Sequence, residues 1–213
     1  MTVSATQALN KCQDRREQVI QAAAQVFLKN GYQHASMEAI SCEAGVAKQT
    51  LYNYFGNKEA LFAATVTQLC QHKQQQMLIA SQRDDIEHTL RVYAERLLDD
   101  LRCPKTRALF KMMVSEAIHF PRLGRLFFEV GIQRDIDILR EFIERQCQAG
   151  RITASHPERA ALFFHGALNA YFRPKSMMLG EALDSENLNP YIDYCIEQFM
   201  QLHATQSGAA NTK

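Results

Sequence analysis

The chain has 213 residues, 46% hydrophobic and 22% charged, with 24 basic against 23 acidic side chains. That length can bury a substantial core, in one large domain or in a small domain joined to a larger one. A net charge of +1 excludes a global basic field, so any DNA binding must rest on local placement, and only 9 Gly and 5 Pro among many strong helix formers predict an all-α fold.

The opening stretch, MTVSATQALNKCQDRRE, is too polar for a signal-peptide core, and no apolar run approaches the roughly 18 to 20 residues of a membrane span. The expectation is a cytoplasmic protein with no membrane partner. The first helical pattern runs from about Asp14 to Asn30, where Val19, Ala23 and Val26 form a stripe beside Ile20, Ala24 and Phe27. Asn30-Gly31 ends it. Ser36 then precedes a short helix, 37–44, as an N-cap, with Glu38 in its first turn. Gly45 interrupts, and a third helix follows at about 48–54.

Two short helices parted by a tight turn containing Gly are the helix-turn-helix pattern. Ile40, Ala44, Val46, Leu51 and Phe55 are placed to enclose a small core with the first helix. Lys48, Gln49, Thr50, Tyr52, Asn53 and Tyr54 then decorate the outside of the third. That surface suits a major groove, where Lys and Gln reach base edges and Tyr hydroxyls reach phosphates. A solvated helix surface is the competing reading for any one of these residues alone, and the combination favours DNA.

Residues 18–62 resemble the N-terminal DNA-binding domain of the TetR family of bacterial transcriptional regulators. The resemblance rests on AAAQVFLKNGY, SMEAISCEAGV, KQTLYNYF and GNKEALF, with Ser41 where the family usually has Ala. It implies that Lys48 and Gln49 lie against bases, that Thr50, Tyr52 and Tyr54 bind phosphates, and that Ser36 contributes from the start of the second helix. Asn57 is the expected cap of a fourth helix, with Lys58 beside it meeting a phosphate. Arg15 and Arg16 are flanking contacts or solvated charges.

The fourth helix is expected from Lys58 to about Ser81, with others at 84–102, 105–119, 122–149, 156–172 and 188–203, about nine in all. The stretch RALFKMMVSEAIHFPRLGRLFFEVG looks like the C-terminal domain of the AefR-like branch of the family. The resemblance implies a DNA-binding domain at about 1–60 and a regulatory and dimerisation domain at 61–213. The 156–172 segment is apolar nearly all round, and the last helix carries a stripe of Ile192, Cys195, Ile196, Phe199 and Met200. A dimer through these two helices fits that pattern, with Phe199 taken as central to the pairing face. Two-fold symmetry would set two recognition helices on a roughly palindromic operator.

Glu116, His119, His165 and Asn169 are polar positions set among apolar ones, the usual orienting groups of a helical pocket. They point to a small, largely apolar effector, and Met112, Met113, Phe120 and Phe127 either line its pocket or are plain core. Six cysteines (12, 42, 70, 103, 147, 195) lie far apart with no zinc spacing, so no metal or cofactor is expected. An enzyme is not expected, since nothing near Cys147, His156 or His165 has a catalytic spacing. Two alternatives to a ligand-released repressor stay open: a redox regulator triggered at Cys12, Cys42 or Cys195, and a DNA-binding factor of nucleoid-occlusion type.

Overall fold

The computed structural model describes residues 2–180 and 185–205, with side chains placed at 14–71, 74–180 and 188–205. Among them every regular element is helical: α1 (Thr2–His34), α2 (Met37–Glu43), α3 (Lys48–Phe55), α4 (Lys58–Ser81), α5 (Ile86–Arg102), α6 (Pro104–Glu116), α7 (Pro121–Phe127), α8 (Arg134–Gln148), α9 (Pro157–Asn169), α10 (Phe172–Leu179) and α11 (Ser185–His203). Each helix expected from the sequence has its counterpart. The expected 122–149 helix is α7 and α8, joined without a break by a π-helical turn, Phe128–Gln133. The short α10 was not expected; its Pro174 sits in the first turn, where Pro costs no intrahelical hydrogen bond.

Cys12 lies outside the residues whose side chains are described. The first helix begins at Thr2, well before the expected Asp14. Its regular part stops at Gly31, whose φ of 74° lies in the left-handed region. The position has a second demand on it, since a Cβ there would stand 3.0 Å from Glu116 Oε1. A larger residue would therefore be strained and would crowd a carboxylate.

The chain divides into two compact units, residues 1–71 with 108–131 and residues 72–107 with 132–213. The first takes in more than the expected 1–60, because Leu109, Met113 and Leu123 close the same core as Val19, Phe27, Ile40, Leu51 and Phe62. Phe27, Tyr32, Phe62 and Phe120 meet edge-on or stacked at centroid distances of 5.0–5.9 Å, a geometry that aromatic quadrupoles favour.

In the second unit, Leu90, Tyr93 and Leu97 of α5 pack with Leu139 and Phe142 of α8, Ala161 and Phe164 of α9, and Ile196 and Phe199 of α11. Phe199 is fully buried there, edge-on to Phe164 at 5.4 Å. This corrects its expected place on a pairing face: the α11 stripe of Ile192, Cys195, Ile196 and Phe199 is consumed inside the subunit. The apolar groups left uncovered are others, Leu162 and Phe163 on α9 and Tyr194 and Leu202 on α11, all more than half exposed.

Candidate nucleic-acid interface

The fold of the first unit sets α3 on display. Ser36 caps α2 in extended conformation, its Oγ accepting from Ala39 N at 3.1 Å. Gly45, at φ 62°, permits the tight turn, and Val46 N donates to Ser41 O at 3.0 Å to close it. Ser41 is buried, and its hydroxyl donates to Glu38 O at 2.9 Å instead of seeking water. Leu51 and Phe55 face the core, so helical periodicity turns Lys48, Gln49, Tyr52 and Asn53 outward, all exposed, with Thr50 and Tyr54 at the margin.

Three of these exposed side chains are already paired. Gln49 Nε2 donates to Asn53 Oδ1 at 2.9 Å, one turn along the helix. Lys48 forms an ion pair with Glu38 of α2 and lies 5.7 Å from the Tyr52 ring centroid. The Lys48 ammonium holds the Glu38 carboxyl below its ordinary range, with help from the Ser36 hydroxyl, and Glu38 in turn raises Lys48. Glu38 was read in the sequence only as a favourable charge at a helix start. The pairing needs the α2–α3 turn to bring residues ten apart together, and local pattern does not reveal it.

Lys58 is engaged differently from its expected role. Its ammonium donates to Tyr32 O at 2.9 Å, Ala35 O at 3.0 Å and Gln33 O at 3.2 Å, and it stands 4.5 Å from the Tyr32 ring centroid. Three donors meet three carbonyls at the end of α1, where helix carbonyls lack intrahelical partners and a cation is favoured. A phosphate could take Lys58 only at the expense of that clasp. Asn57, by contrast, caps α4 as expected, its Oδ1 accepting from Ala60 N at 2.8 Å. Arg15 and Arg16 are exposed, and Arg16 lies over the Phe55 ring at 5.4 Å.

The four expected effector residues fall in two units. Glu116 and His119 belong to the first, where Glu116 Oε1 accepts from Gln33 N at 3.4 Å and His119 is exposed. Met113 of this unit is plain core, with Met112, Phe120 and Phe127 packed against it. His165 and Asn169 are together in the second, one turn apart on α9 and both buried. Arg173 Nε donates to Asn169 Oδ1 at 3.0 Å, which turns the amide Nδ2 toward His165 Nε2, also at 3.0 Å. His165 Nε2 therefore accepts, and Nδ1 carries the hydrogen facing Tyr93 Oη at 2.6 Å. Burial, then the Arg173 and Arg96 charges, lower the His165 pKa to about 4. Tyr93 and Arg173 had no signal in the sequence, because each is separated from its partners by chain that only packing closes.

Behind this chain lies a second buried group, in which Arg96 donates to Asp135 at 2.6 Å and Gln74 donates to the same carboxylate at 3.2 Å. Cys195 is buried and its thiol is pushed up by desolvation, the opposite of an activated thiolate; Cys42 is exposed on α2. Among the described residues no helix is long and apolar enough to cross a membrane. Nor does any group of three or more His, Cys, Asp or Glu among them form a candidate metal site.

Two family models match the chain. The model described as bacterial regulatory proteins of the tetR family covers residues 19–65, and the C-terminal domain of AefR-like transcriptional repressors covers residues 88–205. A solved structure of the flavonoid-responsive regulator FrrA is 31% identical, with a TM-score of 0.76 over 92% of this chain and 100% of that one. A TetR-family structure from Mesorhizobium loti MAFF303099 is 25% identical, with a TM-score of 0.79 over 91% of this chain and 98% of the other. Among curated sequences, the regulator UidR of Escherichia coli (strain K12) is 35% identical over 77 residues, 36% of this chain and 37% of its own length. The match to that relative thus spans well under half of it.

Proposed function

Because the chain belongs to the TetR family of bacterial regulators, with an AefR-like C-terminal domain, we propose that it is a sequence-specific transcriptional repressor released from a palindromic operator by a small effector. The observation that carries this reading is the exposed polar face of α3, held outward by buried Leu51 and Phe55. In helix-turn-helix docking the first turn of the second helix enters the major groove, and here that turn offers Lys48 and Gln49. Thr50, Tyr52, Tyr54 and the Ser36 end of α2 then meet phosphates. Asn53, bonded to Gln49, orients that amide or reads a base itself.

Two copies pair through the uncovered faces of α9 and α11, where Leu162, Phe163, Tyr194 and Leu202 offer apolar surface that the subunit core does not use. The effector is largely apolar with few polar groups. His165 and Asn169, on the Tyr93–Arg173 chain, are the side chains placed to meet a hydroxyl. The FrrA relative responds to flavonoids, which supports aromatic polyphenols as the first ligands to try.

Selection of bound sites from random duplex DNA tests the reading. An enriched inverted repeat, bound by a dimer and released by an aromatic ligand, is the expected result. Absence of any enriched sequence would remove the DNA-binding conclusion.

A further inference from the structure

The charges of residues 14–71, the stretch that carries α2 and α3, are unusual for a surface that meets DNA. Between residues 14 and 71, Arg15, Arg16, Lys29, Lys48 and Lys58 are matched by Asp14, Glu17, Glu38, Glu43 and Glu59, so this stretch carries no net charge. Lys58 spends its donors on the end of α1. Lys48, the cation nearest the base-reading position, is held by Glu38 of the neighbouring helix.

Both members of that pair are about half exposed, 51% for Lys48 and 59% for Glu38. A pair in that setting is weak and opens readily. Closed, it neutralises the ammonium and presents a carboxylate that phosphate oxygens repel, so random duplex contacts gain little from Lys48. Open, it offers a donor and an acceptor side by side. A G·C pair in the major groove shows the matching set, O6 and N7 accepting on guanine and the N4 amino group donating on cytosine.

On the reading that α3 enters the major groove, we propose that Glu38 is a specificity-determining residue. It withholds Lys48 from non-operator phosphates, and in the operator it accepts from cytosine N4 while Lys48 turns to guanine. Neither residue needs a new backbone position, because the α2–α3 turn already sets them within reach of one another.

The test is Glu38→Gln, a near-isosteric neutral change that keeps the Ser36 cap of α2, read by anisotropy titration with operator and with random duplex. Affinity for random duplex should rise about 3- to 10-fold at low salt, and its salt slope should steepen by about one per half-site as Lys48 becomes free to displace a counterion. Discrimination at one symmetric pair of G·C positions should fall about 10-fold. In a Lys48→Met background the same change should leave the salt slope unaltered. Glu38→Ala serves as a second variant, and circular dichroism confirms that both fold. If Glu38→Gln leaves random-duplex affinity and the ranking of single-base operator variants as in wild type, Glu38 has no such role. If the wild-type protein itself shows no sequence preference, the DNA-binding reading fails, and this inference with it.

Discussion

Replacing Lys58 by Met separates two roles for one residue. Methionine keeps the apolar stem over the Tyr32 ring but removes the ammonium that meets Tyr32 O, Gln33 O and Ala35 O. A hydrogen bond to a charged group contributes about 1.5–3 kcal/mol when well shielded. The three here share one donor centre at the edge of the unit, so they do not add. A cation at a helix C-terminus contributes up to about 2 kcal/mol, and a partly exposed cation–π contact about 0.5–1 kcal/mol. The expected loss is about 2–3 kcal/mol in the stability of the first unit, read by urea titration with circular dichroism.

The salt dependence of operator binding then distinguishes positioning from contact. A phosphate partner lost from each half-site would lower the slope of log K against log salt by about 1.8 in a dimer. A lost clasp leaves the slope as it was while affinity falls, because α4 no longer fixes the end of α1 and the start of α2. Titrations across about 50–200 mM salt resolve the difference. A slope reduced by nearly two units, with the urea midpoint unchanged, would refute the clasp and restore Lys58 to the phosphate set.

On the proposed pairing of α9 and α11, wild type should sediment as a dimer and Phe163→Glu as a folded monomer in analytical ultracentrifugation, since Phe163 is 56% exposed and lies outside the subunit core. Phe199→Glu should instead unfold the second unit, because a carboxylate cannot be hydrated at a fully buried position and costs several kcal/mol there; a soluble, folded Phe199→Glu monomer would contradict the packing described. Gln49→Ala should relax discrimination at one symmetric pair of operator positions by about 1–3 kcal/mol in competition titrations, with random-duplex affinity unchanged. His165, lowered to about 4 from 6.5, stays neutral in the fold while the unfolded chain takes up a proton below pH 6.5. Stability should therefore be level above pH 7 and decline as pH falls, by about 2 kcal/mol at pH 5 for this group. Urea titrations of wild type and His165→Asn should show that the difference between them shrinks over this range, and a constant difference would place the acid sensitivity elsewhere.

Much of this protein was legible in its sequence because the relevant physics is local. Helical periodicity placed Leu51 and Phe55 inward and Lys48, Gln49 and Tyr52 outward, and the fold keeps that division. Gly31 and Gly45 announced chain reversals because the left-handed region is costly for other residues. Ser36 and Asn57 announced helix starts because their side chains reach backbone donors two or three residues on.

Tertiary structure decided what those exposed and buried groups do. Lys58 looked like a free cation at a helix start, and only the return of α1 beside it supplies three carbonyls. Phe199 lay on a stripe that a partner or the subunit itself could cover, and periodicity says which residues share a face without saying what covers it. The same limit hid Tyr93 and Arg173 as partners of His165 and Asn169, and placed Glu116 against Gln33. A local pattern specifies the direction a side chain takes from its own helix; its partner is set by which distant segment arrives there, and that depends on the packing of the whole unit.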